Sequence, residues 1–444
     1  MRPERGPAKQ SRPRAVVNAR VLDPASKTDR PGGILMIDGL IADVGPDVGR
    51  TGLPDGTDVI DAGGHCLAPG LIDMRVQLRE PGEEHKETIA SAAAAAAAGG
   101  VTSMVALPNT QPVIDDVAGI EFIARRARET RQTKVYCYGA ITKGLQGRDI
   151  VEMGLLAESG AVGFTDGELA VGNARVLSRA LSYGRCFGLL IIQHPEEPSL
   201  AENSAMNAGE LSTRLGLPGV PRVAEVMMVE RDLHLVELTG GRYHASHLTT
   251  ATAIDAVRQA KKRGLQITCD TAPHYFALNE IAIGDYRSFA KVSPPLRSED
   301  DRQAVIAGVA DGTIDCIASD HAPHDQESKR VPFVQASPGV IGVETMLPVA
   351  LEIHHRGDIP LLDLLARMTV RPAEILRFPQ GRLAKGAPAD LVLFDLNRAW
   401  KIDAAMLKSK SKNSAFDGKP VEGRVLRTIV DGRIVYQADN HNKD

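Results

Sequence analysis

The chain has 444 residues, 43% of them hydrophobic and 24% charged, with a formal net charge of -4. That length suits two or three average domains or one large barrel with an appendage, and the charge balance points to neither nucleic acid nor an anionic membrane. No apolar run approaches the roughly 18–20 residues of a membrane span, and five scattered cysteines without a CxxC spacing (Cys66, Cys137, Cys186, Cys269, Cys316) argue for reduced thiols in a cytoplasmic protein. Residues 1–14 carry Arg2, Arg5, Lys9, Arg12 and Arg14 among Pro3, Pro7 and Pro13. They lack the apolar core of a signal peptide and read as a disordered basic tail.

Residues 15–68 read as short strands. The run 34–37, then Asp38-Gly39, then 40–44 is a hairpin signal, because Asp-Gly suits a tight type I′ turn. The run 428–430, Asp431-Gly432 and the run 433–436 repeat the device, and 390–394 is another strand. Strand-rich pieces at both ends predict one small β domain, of β-sandwich type, made of 15–68 plus 383–438. Between them, over 69–382, apolar runs end in polar residues: 71–77, 101–109, 134–142, 161–166, 188–194, 242–248, 265–271 and 313–320. Helical patterns follow at 88–98, 117–130, 174–183, 223–238, 249–263 and 298–308. Eight apolar runs alternating with helical patterns such as these argue for a TIM-type (β/α)8 barrel of the α/β class. A doubly wound sheet competes, but no Gly-rich phosphate loop follows the first strand. The unbroken alanines 92–98 read as a strong helix former ended by Gly99-Gly100, with a tight packing face as the other reading.

A (β/α)8 barrel carries its active site at the C-terminal ends of its strands. Here those ends supply Arg75 and Gln77, then Asn109, Asp166, His194, His247, and Asp320 with His321 and His324 beyond it. One histidine at a strand end is usually a satisfied core residue, whereas several His and Asp at one end of a barrel are the donors a Zn²⁺ hydrolase needs. In such an enzyme the metal lowers the pKa of water, and a carboxylate carries the proton. His244 and His274 read as structural, since His244 lies three residues before His247 and an extended strand would point it the other way. His85 reads as solvated, and His321 as a residue that holds its neighbours.

The motifs GFTDG around Asp166, QHPEE around His194, YHASHLT around His247, TAPH ending at His274, SPPLR from Ser293, ASDHAPH around Asp320, IGVET, and SKSKNSAF near the C-terminus resemble those of dihydroorotases, in the same order. So does the opening of the first barrel strand, which runs from Pro69-Gly70 to Leu78-Arg79-Glu80-Pro81-Gly82. The resemblance to this branch of the amidohydrolase superfamily spans residues 15–436. It implies a metal-binding carboxylate at Asp166, two histidine ligands at His194 and His247, and a general acid/base at Asp320 that also touches metal. It implies a cradle for the substrate carboxylate at Arg79, Asn109 and His324, with further substrate contacts from Ser293 and from Pro338 and Gly339 after a mobile loop. A guanidinium suits that role because it forks a carboxylate, although Arg79 could instead pair with a loop carboxylate. Hydantoinase-type relatives carry a modified lysine where this chain has Asp166, which favours the dihydroorotase branch.

Two departures stand out. Ser293 replaces an Asn that contacts substrate in the family, a mild change. Arg75 and Gln77 replace the two histidines of the first metal position. Arginine stays protonated and cannot ligate a metal, so that position is degraded. Asp166, His194 and His247 remain as a three-ligand set, implying one Zn²⁺ ion if any. Alternatively Arg75 supplies the missing positive charge by pairing with Asp166 or Asp320. The resemblance therefore implies one of two functions. The first is a cyclic amide hydrolase interconverting N-carbamoyl-aspartate and dihydroorotate in pyrimidine biosynthesis. The second is a non-catalytic structural subunit for aspartate transcarbamoylase. A homo-oligomer is expected in either case.

Overall fold

The computed structural model describes residues 12–49 and 52–439. The tail expected over residues 1–14 thus lies largely outside the described residues, and Arg14 itself opens the strand Arg14–Asp23. Strands Leu71–Val76, Val101–Ala106 and Lys134–Cys137 pair in parallel as one arc. Leu190–Gln193, Arg242–Ala245, Ile267–Thr271 and Cys316–Ile317 form a second parallel arc. Isolated parallel bridges from Gly139 to Phe164 and from Phe164 to Ile191 join the arcs on one side. On the other side Val76 bridges His321, and the Gln77 N–H reaches the His321 carbonyl at 2.8 Å. The ring therefore closes into the expected barrel. Every residue of Leu71–Val76 and Val101–Ala106 is buried, as parallel strands covered on both faces must be.

Helices follow the strands where the apolar periodicity placed them. Val117–Thr130 is capped by Asp116, whose side chain accepts the Gly119 N–H, and it buries Ile120 and Ile123. The alanine-rich helix Ile89–Ala98 starts at a capping box between Thr88 and Ser91. Its alanines are more than a propensity effect. All but Ala94 of 92–98 are buried, and the Thr428 hydroxyl donates to the Ala97 carbonyl at 2.6 Å. A Cβ on the terminating Gly99 would stand 2.4 Å from the Val343 carbonyl. The helix is thus a close-packing face, which corrects the simpler reading.

Strands from both ends of the chain form a single eight-stranded sheet. Leu391–Lys401 pairs antiparallel with Cys66–Pro69, and Arg14–Asp23 lies beside Cys66–Pro69 and Thr28–Ile37. Both Asp-Gly hairpins form with positive φ at both central residues: 50° and 79° at Asp38 and Gly39, 46° and 71° at Asp431 and Gly432. This is the type I′ requirement. Val16, Ile34, Met36, Leu67, Leu391 and Ile429 share a core separate from the barrel's.

The ladder differs from expectation at two of the eight strands. Residues 161–166 make only bridges at Phe164, and the run 313–320 is regular only over Cys316–Ile317. In the second case Asp320 turns left-handed, with φ 49°, and breaks the strand. No helix among the described residues is long and apolar enough to cross a membrane.

Candidate active site

Three residues at strand exits have left-handed backbones: Arg79 at φ 59°, His247 at 57° and Asp320 at 49°. Non-glycine residues hold this region only under constraint, and such positions cluster at functional sites. The side chains of His247 and Asp320, with Arg75, Asp270 and His274, define the centre of the barrel mouth, while Arg79 stands at its rim.

Arg75 is 2% exposed. Its Nε donates to Asp320 Oδ1 at 3.2 Å, and Nη1 and Nη2 both reach the Gly167 carbonyl at 3.3 Å. Gly167, at φ 72°, adopts the left-handed turn that glycine accepts freely. Asp320 Oδ1 also lies 3.1 Å from His247 Nε2, and Oδ2 lies 3.7 Å from His274 Nε2. On its other side His247 Nδ1 stands 3.2 Å from Asp270 Oδ1. Asp270 Oδ2 takes a hydrogen bond from His244 Nε2 at 2.9 Å, and the Thr268 hydroxyl meets His244 Nδ1 at 2.8 Å. A continuous line Arg75–Asp320–His247–Asp270–His244 results.

Burial opposes the charges on Asp320, His247 and Asp270, but their partners outweigh it. Although burial raises the Asp320 carboxyl, His247 and Arg75 hold it well below the usual carboxylate range. Burial likewise works against a charged His247, yet Asp320 and Asp270 keep its pKa above the ordinary value. Asp270 is held far down, against burial, by His247 and His244. For His274 burial outweighs the Asp320 charge and pushes it down to about 4.

The other expected metal donors stand apart from this line. Asp166 turns toward the third strand's exit. Its Oδ1 accepts the Ile141 and Thr142 N–H groups, each at 2.9 Å, and its Oδ2 accepts the Thr142 hydroxyl. His194 is buried with both ring nitrogens unpartnered, and burial followed by the Arg75 charge holds it well below its ordinary pKa. Among the described residues no three His, Cys, Asp or Glu side chains converge to hold a metal ion. As arranged, the residues do not fit one.

Gln77 Nε2 donates to Glu168 Oε1 at 2.8 Å, and its Oε1 accepts from Asn109 Nδ2 at 3.4 Å, so it steadies Asn109. Arg79 donates to the Pro323 carbonyl at 3.1 Å and pairs with Glu83 at 3.1 Å, so the loop-carboxylate alternative is realised. Its Nη2 also lies 3.2 Å from His324 Nε2. His324 Nε2 donates to the Pro338 carbonyl at 2.8 Å, which leaves Nδ1 as a buried free acceptor. Burial and the Arg79 charge push His324 down to about 3. Gly339 is buried while Pro338 is exposed, and Ser293 is half-buried.

The loop that presents Pro338 and Gly339 is clamped by residues to which sequence reasoning gave no role. Lys329, fully buried, donates to the carbonyls of Ser337 at 2.8 Å and Gly339 at 3.0 Å. Asn413 Nδ2 bonds the Ala322 and Gly339 carbonyls, and its Oδ1 accepts the His324 N–H. Asp270 was also missed, although a lone carboxylate inside the apolar run 265–271 was a usable signal. His244 and His247 meet the same Asp270 carboxylate, against the expectation of opposite faces. The strand ends at Ala245, so its alternation does not reach His247. His274, read as structural, faces Asp320, whereas His321 accepts the Gly342 N–H at 3.2 Å and holds its neighbours as expected.

The family model "Dihydro-orotase-like" matches residues 64–253, and the model "Amidohydrolase family" matches residues 350–436. A protein named dihydroorotase from Anaplasma phagocytophilum (strain HZ) is 45% identical over 431 residues, 96% of this chain and 95% of that protein. The dihydroorotase of Geobacter sp. (strain M21) is 44% identical over 95% of this chain and 99% of its own length. Among solved structures, the L-hydantoinase (dihydropyrimidinase) from Arthrobacter aurescens superposes with a TM-score of 0.85 at 24% identity, over 96% of both chains. The D-hydantoinase from Thermus sp. gives 0.82 at 22% identity, over 96% of this chain and 97% of that one. The hydantoinases establish the fold, a barrel with an appended β domain. With relatives at this identity over nearly the full length, the chain belongs to the dihydroorotase family.

Proposed function

We propose that the protein is a dihydroorotase-type hydrolase that makes and breaks a cyclic amide C–N bond, interconverting N-carbamoyl-aspartate and dihydroorotate in pyrimidine biosynthesis. The observation that carries this reading is the 43–45% identity to proteins named dihydroorotase over at least 95% of the chain. The relatives favour it over the non-catalytic subunit. In ring opening, water adds to the ring carbonyl carbon, the C–N bond breaks, and the amide nitrogen takes a proton. Asp320, reached by Arg75 and His247 and kept ionised, is proposed to accept the water proton and return it to the leaving nitrogen. Arg79, Asn109, His324, Ser293 and the Pro338–Gly339 backbone are proposed to hold the substrate carboxylate and ring. In support, Arg79 and His324 meet at 3.2 Å beside the Pro338 carbonyl.

Proteins of this family are generally metal-dependent. The finer expectation, one Zn²⁺ on Asp166, His194 and His247, would require Asp166 to give up its bonds to Ile141 and Thr142. No step above passes through a metal. Turnover of dihydroorotate and of N-carbamoyl-aspartate by the purified protein, with and without added Zn²⁺, tests the reading; no turnover in either direction under both conditions overturns it. Cytoplasmic location, self-association and docking on aspartate transcarbamoylase are proposed as separate properties. Sizing alone and with that enzyme tests the last two, and elution as an unassociated monomer in both runs would remove them.

A further inference from the structure

We propose that Arg75 is the resident cation of this site, and that the barrel mouth binds ureido and cyclic-amide carboxylates without a divalent ion. The inference rests on the substrate class proposed above and deepens it.

Three independent observations carry it. First, Arg75 already makes the contact that a metal would need, since its guanidinium is the partner of Asp320 Oδ1 at 3.2 Å. A divalent ion brought to the same carboxylate would stand against a buried positive charge that arginine cannot shed. Second, the carboxylates at the centre already have partners. Arg75 meets Asp320 at 3.2 Å, and Asp270 is met by His244 at 2.9 Å and by His247 at 3.2 Å, so neither stands open to draw a cation in. The remaining carboxylate, Asp166, is engaged elsewhere, its Oδ1 by two backbone N–H groups and its Oδ2 by a hydroxyl.

Third, donors and acceptors are left over, and they suit an organic ligand. A guanidinium has five N–H groups. Arg75 uses three of them, on Asp320 and twice on Gly167, so two remain for an oxygen. His194 is buried with neither ring nitrogen engaged. A neutral imidazole offers one donor and one acceptor, the complement of an N–H beside a carbonyl. That pairing occurs in every ureido and cyclic-amide group. Arg75 then serves the carbonyl oxygen as a charged donor. It cannot supply hydroxide, so water activation falls to Asp320.

The test uses the full-length protein. Elemental analysis after dialysis is expected to find substoichiometric metal. Calorimetry with dihydroorotate and with N-carbamoyl-aspartate is expected to give dissociation constants within about twofold in chelator and in added Zn²⁺. Arg75→Met is expected to weaken binding by on the order of tenfold or more, the worth of a charge-assisted hydrogen bond, with Arg75→Lys recovering part of it. If Arg75→Met does not fold, the chelator comparison on the unaltered protein decides alone. A tightly held equivalent of metal, or ligand binding that disappears in chelator and returns with Zn²⁺, overturns the inference. The two proposals fail separately. Metal-free binding without turnover sinks the hydrolase and leaves the cation role of Arg75, whereas turnover that depends on Zn²⁺ does the reverse.

Discussion

The centre of the barrel mouth and its rim are built on opposite plans. At the centre, Arg75, Asp320, His247 and Asp270 neutralise one another through side-chain contacts. At the rim, Lys329 and Asn413 hold the loop through backbone carbonyls, as does Lys291, whose Nζ donates to the Phe333 and Val334 carbonyls, and among the described residues neither lysine has a carboxylate partner. A set of mutually paired buried charges is costly to break at one member. A carbonyl clamp yields by degrees, because each bond is modest and independent. The centre is therefore expected to weigh most on stability, and the rim, on the proposed reading, on how well a ligand is gripped.

The largest effect should come from removing one charge at the centre. Asp320→Ala leaves Arg75 buried without its carboxylate and should cost about 3–5 kcal/mol in chemical denaturation, with turnover abolished. Arg75→Met combined with Asp320→Ala should cost clearly less than the two single losses added, because the pair leaves together. Strict additivity would refute the coupling. Next, Arg75→His with Gln77→His removes the guanidinium and supplies two imidazoles one residue apart. That variant should hold more Zn²⁺ by elemental analysis and turn over faster with it. No gain in metal would mean that Asp166 stays locked to Thr142.

A pH titration separates the regions more gently. His274 and His324 are held down to about 4 and about 3 in the folded protein, so there the unfolded chain binds more protons. Their contribution to stability should be full above pH ~6.5 and fall on acidification through the window down to pH ~4, by up to ~1.4 kcal/mol per pH unit per group. Glu196 and Glu344, each pushed up to about 7 by burial, work the other way in that window, so the check is the difference between the parent and His274→Asn or His324→Asn; pH profiles unchanged by both substitutions would contradict both assignments. The smallest effect belongs to the rim. Lys329→Met removes the bonds to Ser337 and Gly339 and should raise KM several-fold while leaving kcat within about threefold, at a stability cost of ~1–3 kcal/mol. A kcat loss at unchanged KM would move Lys329 out of the gripping role.

Much of the fold was readable along the chain. Buried parallel strands show as continuous apolar runs, and an Asp-Gly pair between strands nearly dictates its turn, so the barrel and both hairpins were visible. The broken eighth strand was not, because nothing near Asp320 in sequence announces its left-handed turn, and its side chain meets Arg75 and His247 from distant elements. At the barrel mouth the sequence picked out Arg75, His247 and Asp320, which the structure brings together, but not Asp270. Side-chain orientation was not legible. Nothing near Asp166 in sequence announces that Thr142, at the end of another strand, will take its carboxylate. Asp270 looked like an interruption of a strand until His244 and His247 were seen on either side of it.

The shared sheet has a consequence for the chain's synthesis. Cys66–Pro69 emerges from the ribosome early, but its partner Leu391–Lys401 follows only after the whole barrel has been made. At typical elongation rates that delay is on the order of half a minute. Throughout it the amino-terminal strands present an open edge, the kind of surface that recruits stray strands. Ribosome-stalled chains that stop short of Leu391 should be cut by protease within residues 14–69, whereas finished chains should resist. Translation itself thus sets the order of events, and the last strands made relieve the hazard created by the first.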